Sequence, residues 1–151
     1  MPSLVEVGKI LVKVRREAVR YYELTSKPLG VTGEIAEYEA TRILRLKLTD
    51  ARQPGWDATR GKKKIQIKGR WLTPSSKPGQ RLGTIRLDHE WDSVVLILLD
   101  EKCRPFEIHE ALRPEIEVEL TRPGSKARNE RGQLGVSKFK SIGKCVWSSK
   151  V

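Results

Sequence analysis

The chain has 151 residues, of which 38% are hydrophobic and 32% charged, and this size and composition predict one globular domain, residues 1–151, with a buried core. Its formal net charge of +11 and its pI near 9.9 indicate a polyanionic partner such as nucleic acid. No apolar run approaches the roughly 18 residues of a membrane span, and the N-terminal residues lack a signal-peptide pattern, so we expect no membrane partner and a cytoplasmic location.

The cysteines and histidines give no metal-binding pattern. Cys103 and Cys145 stand alone, without the Cys-x-x-Cys spacing of zinc sites. His89 and His109 are not paired with a cysteine pattern either. We therefore assign all four residues to structural or surface roles.

The first predicted element is a helix over residues 3–24. Apolar residues recur there at the spacing of one helical face, and Ser3 stands three residues before Glu6, as in a capping box. The opposite face is basic and carries Lys9, Lys13, Arg16 and Arg20. We interpret that face as solvated, in preference to a nucleic-acid contact.

A second helix is predicted from Thr32, which can cap it, to about Leu48. Glu34 and Glu37 lie three residues apart in its first turns and so project from nearly the same ridge. One of them can reach the segment that follows. The polar stretch of residues 49–55 is predicted as a loop leading to that segment.

Residues 55–70 are predicted to form a β-hairpin, because they contain strand-like alternation on both sides of a polar turn around Gly61. With the turn centred just after Gly61, Asp57 lies opposite Gln66. With the turn one residue later, Asp57 lies opposite Lys68. Either register places the three side chains on one face, because side chains alternate along a strand.

A carboxylate, an amide and an ammonium group on one face are costly to bury unless they bind something. The oxygens of Asp57 and Gln66 are hard ligands of the kind that Mg²⁺ accepts, and Lys68 can neutralise charge on a phosphoryl oxygen. The pattern therefore indicates a cation and phosphate site. A cross-strand ion pair between Asp57 and Lys68 at a sheet edge is the simpler alternative, and the residues alone leave it open.

The hairpin motif resembles that of a known enzyme superfamily. Asp57, followed by the Gln66-x-Lys68 pair and preceded by a helix with Gly33 and Glu37, resembles the PD-(D/E)XK nuclease superfamily. The Gln-x-Lys form is similar to that of Mrr-type restriction nucleases. The spacing of Gly33 and Glu37 is similar to a helix motif of archaeal Holliday-junction resolvases.

The resemblance covers the chain from Thr32 to Trp71 and departs from the usual pattern at two positions. Trp56 stands where a proline usually precedes the aspartate. Gln66 replaces the usual acid and removes one negative charge from the expected metal site.

The resemblance implies a restriction-endonuclease-like α/β sandwich, with a central mixed β-sheet flanked by helices, and the order of the predicted elements is compatible with that fold. It implies a Mg²⁺-dependent DNA endonuclease, with Mn²⁺ as an alternative ion. The implied catalytic residues are Glu37, Asp57, Gln66 and Lys68, and the implied metal ligands are Asp57, Gln66 and Glu37, with Glu34 as the alternate acid. A catalytically inactive nucleic-acid-binding module of the same fold is the main competing function, and an adaptor for acidic proteins is a third.

DNA is the expected partner, with RNA left open, because residues 58–87 contain nine basic residues and no Asp or Glu. The expected nucleic-acid contacts are Arg60, Lys62, Lys63, Lys64, Arg70, Trp71, Lys77 and Arg81. Trp71 can stack on an unpaired base, although a tryptophan at a strand end is more often a core residue.

Residues 73–83 are predicted as a loop, residues 93–99 as a central strand covered on both faces, and residues 105–109 as its neighbour. Residues 110–121 alternate like a strand, but Pro114 followed by acids suits a helix start, which we favour.

Residues 122–134 are predicted as a basic loop and a second contact surface, with Arg122, Lys126, Arg128 and Arg131. Ser137 is predicted to cap a terminal helix that includes Val146. The sequence contains no base-reading motif, so substrate structure, sequence specificity and biological pathway stay open, as does the formation of a homodimer.

Overall fold

The computed structural model describes residues 3–49 and 54–149. Within them the helices are α1 (Leu4–Thr25), α2 (Thr32–Leu44), α3 (Arg113–Thr121), α4 (Lys126–Asn129) and α5 (Val136–Ile142). The strands are β1 (Lys47–Leu48), β2 (Ala58–Arg60), β3 (Lys63–Trp71), β4 (Ser93–Leu99), β5 (Pro105–Leu112) and β6 (Lys144–Ser148). The fold is therefore α/β, as predicted.

The described strands form one mixed sheet in the order β1-β2-β3-β4-β5-β6. Only the β3–β4 pair is parallel among them, and the others are antiparallel. All seven residues of β4 are buried, which confirms the predicted central strand. The connection between the two parallel strands, residues 72–92, contains no helix and lies over one face of the sheet.

Alternation along the strands divides the core into two layers. Ile65 and Ile67 of β3 face α1 and α2 together with Val95 and Ile97 of β4. The other face of the sheet packs against α3, α5 and the 72–92 connection. The packing of α2 on β3 is close, because a Cβ atom at Gly69 would lie 2.6 Å from the Cβ atom of Ala36.

The first helix is confirmed, and the Ser3 side chain accepts the predicted capping hydrogen bond from the Glu6 amide at 3.3 Å. The second helix is shorter than predicted. It ends at Leu44 because Arg45 adopts a left-handed conformation with φ of 55°, and Lys47–Leu48 then pairs with β2 as a strand. The predicted cap is also wrong, because Thr32 is the first helical residue and Val31 precedes it without a side-chain cap.

The C-terminal third differs from the prediction in three places. Residues 110–112 continue β5, and the favoured helix follows as α3, with Pro114 at its start. The basic segment predicted as a loop contains the short helix α4. The terminal helix α5 begins after Gly135, with Ser137 inside its first turn rather than at its cap, and the chain then forms β6.

The expectation that Val146 lies on a terminal helix is therefore wrong. Pairing of β6 with β5 overrides the weak helical pattern, and Gly143 allows the chain to pass close to β5. A Cβ atom at Gly143 would lie 2.8 Å from the Glu110 carbonyl oxygen.

The predicted polar loop of residues 49–55 lies partly outside the described residues. Among the described helices, none combines the length and the apolar character needed to cross a bilayer.

Candidate metal and phosphate site at the hairpin

The predicted hairpin is present as β2 and β3, and its register is the first of the two alternatives. Ala58 pairs with Ile65 and Arg60 pairs with Lys63, so the turn follows Arg60 directly. Gly61 occupies the turn with φ of +60°, a conformation that glycine adopts without strain. This register continues to a position in which Asp57 lies beside the buried Gln66.

Asp57 lies where β2 separates from β3. Its main-chain carbonyl accepts a hydrogen bond from the Thr49 amide at 3.0 Å, so it is turned towards β1. Its carboxylate Oδ2 accepts a hydrogen bond from the Ile67 amide at 2.7 Å. The carboxylate thus binds a β3 amide at the point where the main chains of the hairpin diverge.

Gln66 lies on the neighbouring position and is 9% exposed. Its amide Nε2 donates to the Gly55 carbonyl at 2.9 Å. Because a carbonyl can only accept, this contact fixes the orientation of the side-chain amide. The other end, Oε1, is buried and has no hydrogen-bond partner among the described residues.

An unpartnered buried carbonyl oxygen is uncommon in folded proteins, and a bound water or an ion accounts for most such cases. Gly55 contributes to this arrangement because it has φ of +101°, and a Cβ atom there would lie 2.4 Å from the Glu90 carbonyl oxygen. The backbone that orients Gln66 therefore requires glycine at this position.

Lys68 completes the group on β3. Its Nζ donates to the Thr84 carbonyl at 2.9 Å. Burial lowers the pKa of Lys68 from its ordinary value, and the negative charge of the neighbouring Asp57 opposes that shift. The side chain is thus a partly desolvated amine beside a carboxylate, which is an unusual environment for a lysine with a purely structural role.

The chemistry of these groups fits a hard divalent cation. A carboxylate and an amide oxygen are oxygen ligands of the type that Mg²⁺ binds, and the amide oxygen has no hydrogen-bond partner within residues 3–49 and 54–149. The residues described contain no cluster of three or more His, Cys, Asp or Glu side chains. The expected ligand set differs in composition from such a cluster, because it consists of two acids and one amide.

The two helical acids lie on α2, Glu34 exposed and Glu37 half-buried. This helix packs on the Ile65 and Ile67 face of β3, whereas Gln66 and Lys68 project from the other face. The structure thus joins Asp57, Gln66 and Lys68 through the hairpin itself. The participation of Glu37, or of Glu34, stays a prediction.

The basic residues of the hairpin have different environments. Lys62 and Lys63 are exposed at the turn and make no ion pair within the described part of the chain. Arg60 forms an ion pair with Glu110 at 3.3 Å. Lys64 pairs with Glu90, and its Nζ lies 4.5 Å from the centre of the Trp56 ring. Among the basic residues of the hairpin turn and its flanks, Lys62 and Lys63 are therefore the ones available to bind a phosphate.

The remaining predicted contacts lie at the far end of β3 and in the loop after it. Arg70 donates to the carbonyl of Arg81, and Arg81 donates to the Gln133 carbonyl at 2.6 Å. Lys77 is exposed. Trp71 is only 5% exposed, and its ring centre lies 5.7 Å from that of Tyr22. Trp71 is thus a core residue, the alternative considered for it, and its ring is not presented on the surface.

A groove that the sequence did not predict adjoins Lys68. It has a volume of about 580 Å³ and lies between residues 84–88 and residues 128–133, with Thr84, the hydrogen-bond acceptor of Lys68, in its wall. Arg128 and Arg131 of the second basic segment line the groove. Composition identified that segment as basic, but only the long-range packing of the chain brings it near Lys68.

Comparison of the chain with models of known protein families gives no match, and a search of curated proteins finds no significant match.

Proposed function

We propose that the protein is a Mg²⁺-dependent DNA endonuclease with a restriction-endonuclease-like fold of the PD-(D/E)XK type. The observation that carries this proposal is the buried Oε1 of Gln66, which has no hydrogen-bond partner among the described residues and belongs to a side chain on the same hairpin face as Asp57 and the partly desolvated Lys68. A structural ion pair between Asp57 and Lys68 accounts for two of these groups and leaves the amide oxygen unexplained.

In this proposal Asp57 and Gln66 would hold the ion through oxygen atoms, and Glu37, whose helix packs on the opposite face of β3, stays the third ligand that the resemblance implies. When bound, Mg²⁺ stabilises charge on the phosphate and lowers the pKa of water that attacks it. Lys68 places a cation beside the same phosphate and stabilises the negative charge that develops during hydrolysis. Removal of one such preorganised group costs about a hundred- to thousandfold in rate.

Substrate binding is assigned to the exposed cations near the site. Backbone phosphates are contacted by Lys62 and Lys63 at the turn and by Arg131 at the groove. Such contacts give affinity without sequence preference. Cutting both strands of a duplex in one event requires two active sites, and a homodimer supplies them.

A catalytically inactive DNA-binding module is the second candidate. It is favoured by the amide at position 66 and by the hydrogen bond from Ile67 to Asp57, which gives the carboxylate a structural role. Such a module binds DNA without a divalent ion, and its DNA affinity falls only slightly when Lys68 is replaced.

Nicking of supercoiled plasmid separates the two functions. The wild type should nick with Mg²⁺ or Mn²⁺ and be inactive in EDTA. Asp57→Asn keeps an oxygen that can accept from the Ile67 amide but removes the charge, so it should fold and lose activity. Glu101→Gln, which removes a negative charge at an exposed acid on another turn, serves as the matched control.

Equal activity of Asp57→Asn and the wild type would contradict the site assignment. DNA binding by the wild type without cleavage in either metal would support the inactive module instead.

A further inference from the structure

A second polar pocket lies at the end of β3 and is distinct from the hairpin site. It has a volume of about 310 Å³ and lies between the start of α2, the end of β3 and the loop of residues 73–80. That volume is at the lower end of ligand-binding cavities, so it suits a phosphorylated sugar or one nucleotide better than a duplex.

The charge of the pocket favours an anion. Arg70 and Lys77 line it, and no Asp or Glu is among its lining residues in the described chain. Its remaining polar lining consists mostly of hydroxyl groups and an amide, including Thr32, Thr73 and Gln80. Two cations with no acid among the described lining residues match a phosphomonoester, which carries about −1.5 to −2 charges at neutral pH.

Several donors around the pocket are available. Arg70 uses Nε to bind the Arg81 carbonyl, and its terminal nitrogens make no hydrogen bond or ion pair within the residues described. The Lys77 ammonium makes none there either. The indole N–H of Trp71, another lining residue, is buried and without a partner in the same part of the chain. The Arg70 terminal nitrogens and the Lys77 ammonium offer hydrogen bonds that a phosphate can accept.

The wall of the pocket is held in shape by its own hydrogen bonds. The Tyr22 hydroxyl and Ser75 Oγ lie 2.6 Å apart, and the Thr73 amide donates to Ser76 Oγ at 2.9 Å. Hydrogen bonds with Ser75 and Thr73 lower the pKa of Tyr22 from its ordinary value. A loop fixed in this way pays little ordering entropy when a ligand binds.

We propose that this pocket binds a phosphomonoester, either the terminal phosphate of a nucleic-acid strand or a free mononucleotide. Arg70 lies two residues after Lys68 on β3, about 7 Å along the strand. The inference rests on the proposed function only in taking nucleic acid as a source of the phosphate.

Binding in EDTA tests the pocket without cleavage. Short fluorescein-labelled DNA strands with a 5′-phosphate, a 3′-phosphate or hydroxyl ends are titrated and followed by anisotropy. Either the 5′-phosphorylated or the 3′-phosphorylated strand should bind about tenfold more tightly than the strand with hydroxyl ends. This gain is expected for charge-assisted hydrogen bonds to the terminal phosphate. Lys77→Gln should abolish the difference, and Lys102→Gln should retain it.

Lys77 is exposed, and its ammonium makes no hydrogen bond or ion pair with the described residues, so its replacement should not unfold the protein. Arg70→Gln is the second variant and should also abolish the preference. Competition by deoxythymidine monophosphate at similar concentration would identify a free nucleotide as the source, and its failure to compete would identify the strand end.

Equal affinity for phosphorylated and hydroxyl strands would overturn the inference, as would a phosphate preference that survives both substitutions. Thermal stabilisation by deoxythymidine monophosphate, lost in Lys77→Gln, tests the pocket even when no DNA strand binds. Plasmid nicking with Asp57→Asn reports separately on the proposed nuclease function.

Discussion

At the scale of single residues, Lys68 shows a conflict between stability and the proposed function. Its ammonium group is partly desolvated, and burial lowers its pKa even though Asp57 lies nearby. Partly buried charges reduce stability unless they are well paired. A partly buried lysine of this kind is expected where its charge has a function, and the function proposed here is stabilisation of negative charge on the phosphate.

Lys68→Met should therefore leave the protein within about 1 kcal/mol of the wild type, or more stable, while nicking is lost. The folded protein binds the Lys68 ammonium proton less tightly than the unfolded chain does. Burial of the charged lysine therefore lowers the free energy of unfolding by its full amount at any pH below the lowered pKa. The penalty disappears as pH rises to the ordinary pKa of lysine. The advantage of Lys68→Met in chemical denaturation should shrink across that interval, and a large destabilisation at neutral pH would show a structural role.

Gln66→Glu tests the orientation of the buried amide. The carboxylate cannot donate to the Gly55 carbonyl, so the variant should lose about 1–3 kcal/mol in free energy of unfolding at neutral pH. Millimolar Mg²⁺ should stabilise this variant more than the wild type, because the added charge strengthens ion binding. Gln66→Met is the uncharged control, and equal melting temperatures of Gln66→Glu with and without Mg²⁺ would argue against a metal at this position.

At the scale of elements, the hairpin was predicted from local sequence because its turn and alternation lie within sixteen residues, 55–70. The orientation of Gln66 was not predictable, because it depends on Gly55, whose backbone packs against Glu90. The strands β1 and β6 were missed for a related reason. Each is short, and its conformation is decided by pairing with β2 or β5 rather than by its own pattern.

Gly55→Ala should destabilise the protein by about 2 kcal/mol or more and reduce nicking, because the new Cβ atom meets the Glu90 backbone at a positive φ. Gly33→Ala is the matched control, since a Cβ atom there has no heavy atom within 4 Å and the position is helical. It should be neutral or stabilising by about 0.4–1 kcal/mol. Similar losses in both variants in thermal unfolding would contradict the assignment of Gly55.

At the scale of the whole molecule, the net charge of +11 and the basic segments are visible in the sequence, but the ion pairs that neutralise some of their residues are not. Arg60 and Lys64 were expected to contact phosphates, and the structure pairs them with Glu110 and Glu90. The groove beside Lys68 and the pocket at Arg70 are formed by segments far apart in the chain. Neither could be predicted without the tertiary structure.

Salt dependence tests which cations bind DNA. Replacing Lys62 and Lys63 by Gln should reduce the slope of log K against log salt concentration by about 1.8, since each neutralised phosphate contributes about 0.9. Affinity should fall for all sequences alike. Lys102→Gln with Lys138→Gln removes the same charge from other exposed positions and should leave the slope nearly unchanged. If both double variants had the same slope of log K against log salt concentration, the DNA would not contact the hairpin turn.

The most direct measurement is the initial rate of Mg²⁺-dependent plasmid nicking by purified wild type and Asp57→Asn, both shown to be folded. The two-group site of Asp57 and Gln66 predicts a measurable wild-type rate, abolished by EDTA, and a loss of at least about a hundredfold in the variant. A rate that Asp57→Asn leaves unchanged, or no cleavage by the wild type under any divalent ion, would contradict the proposed nuclease.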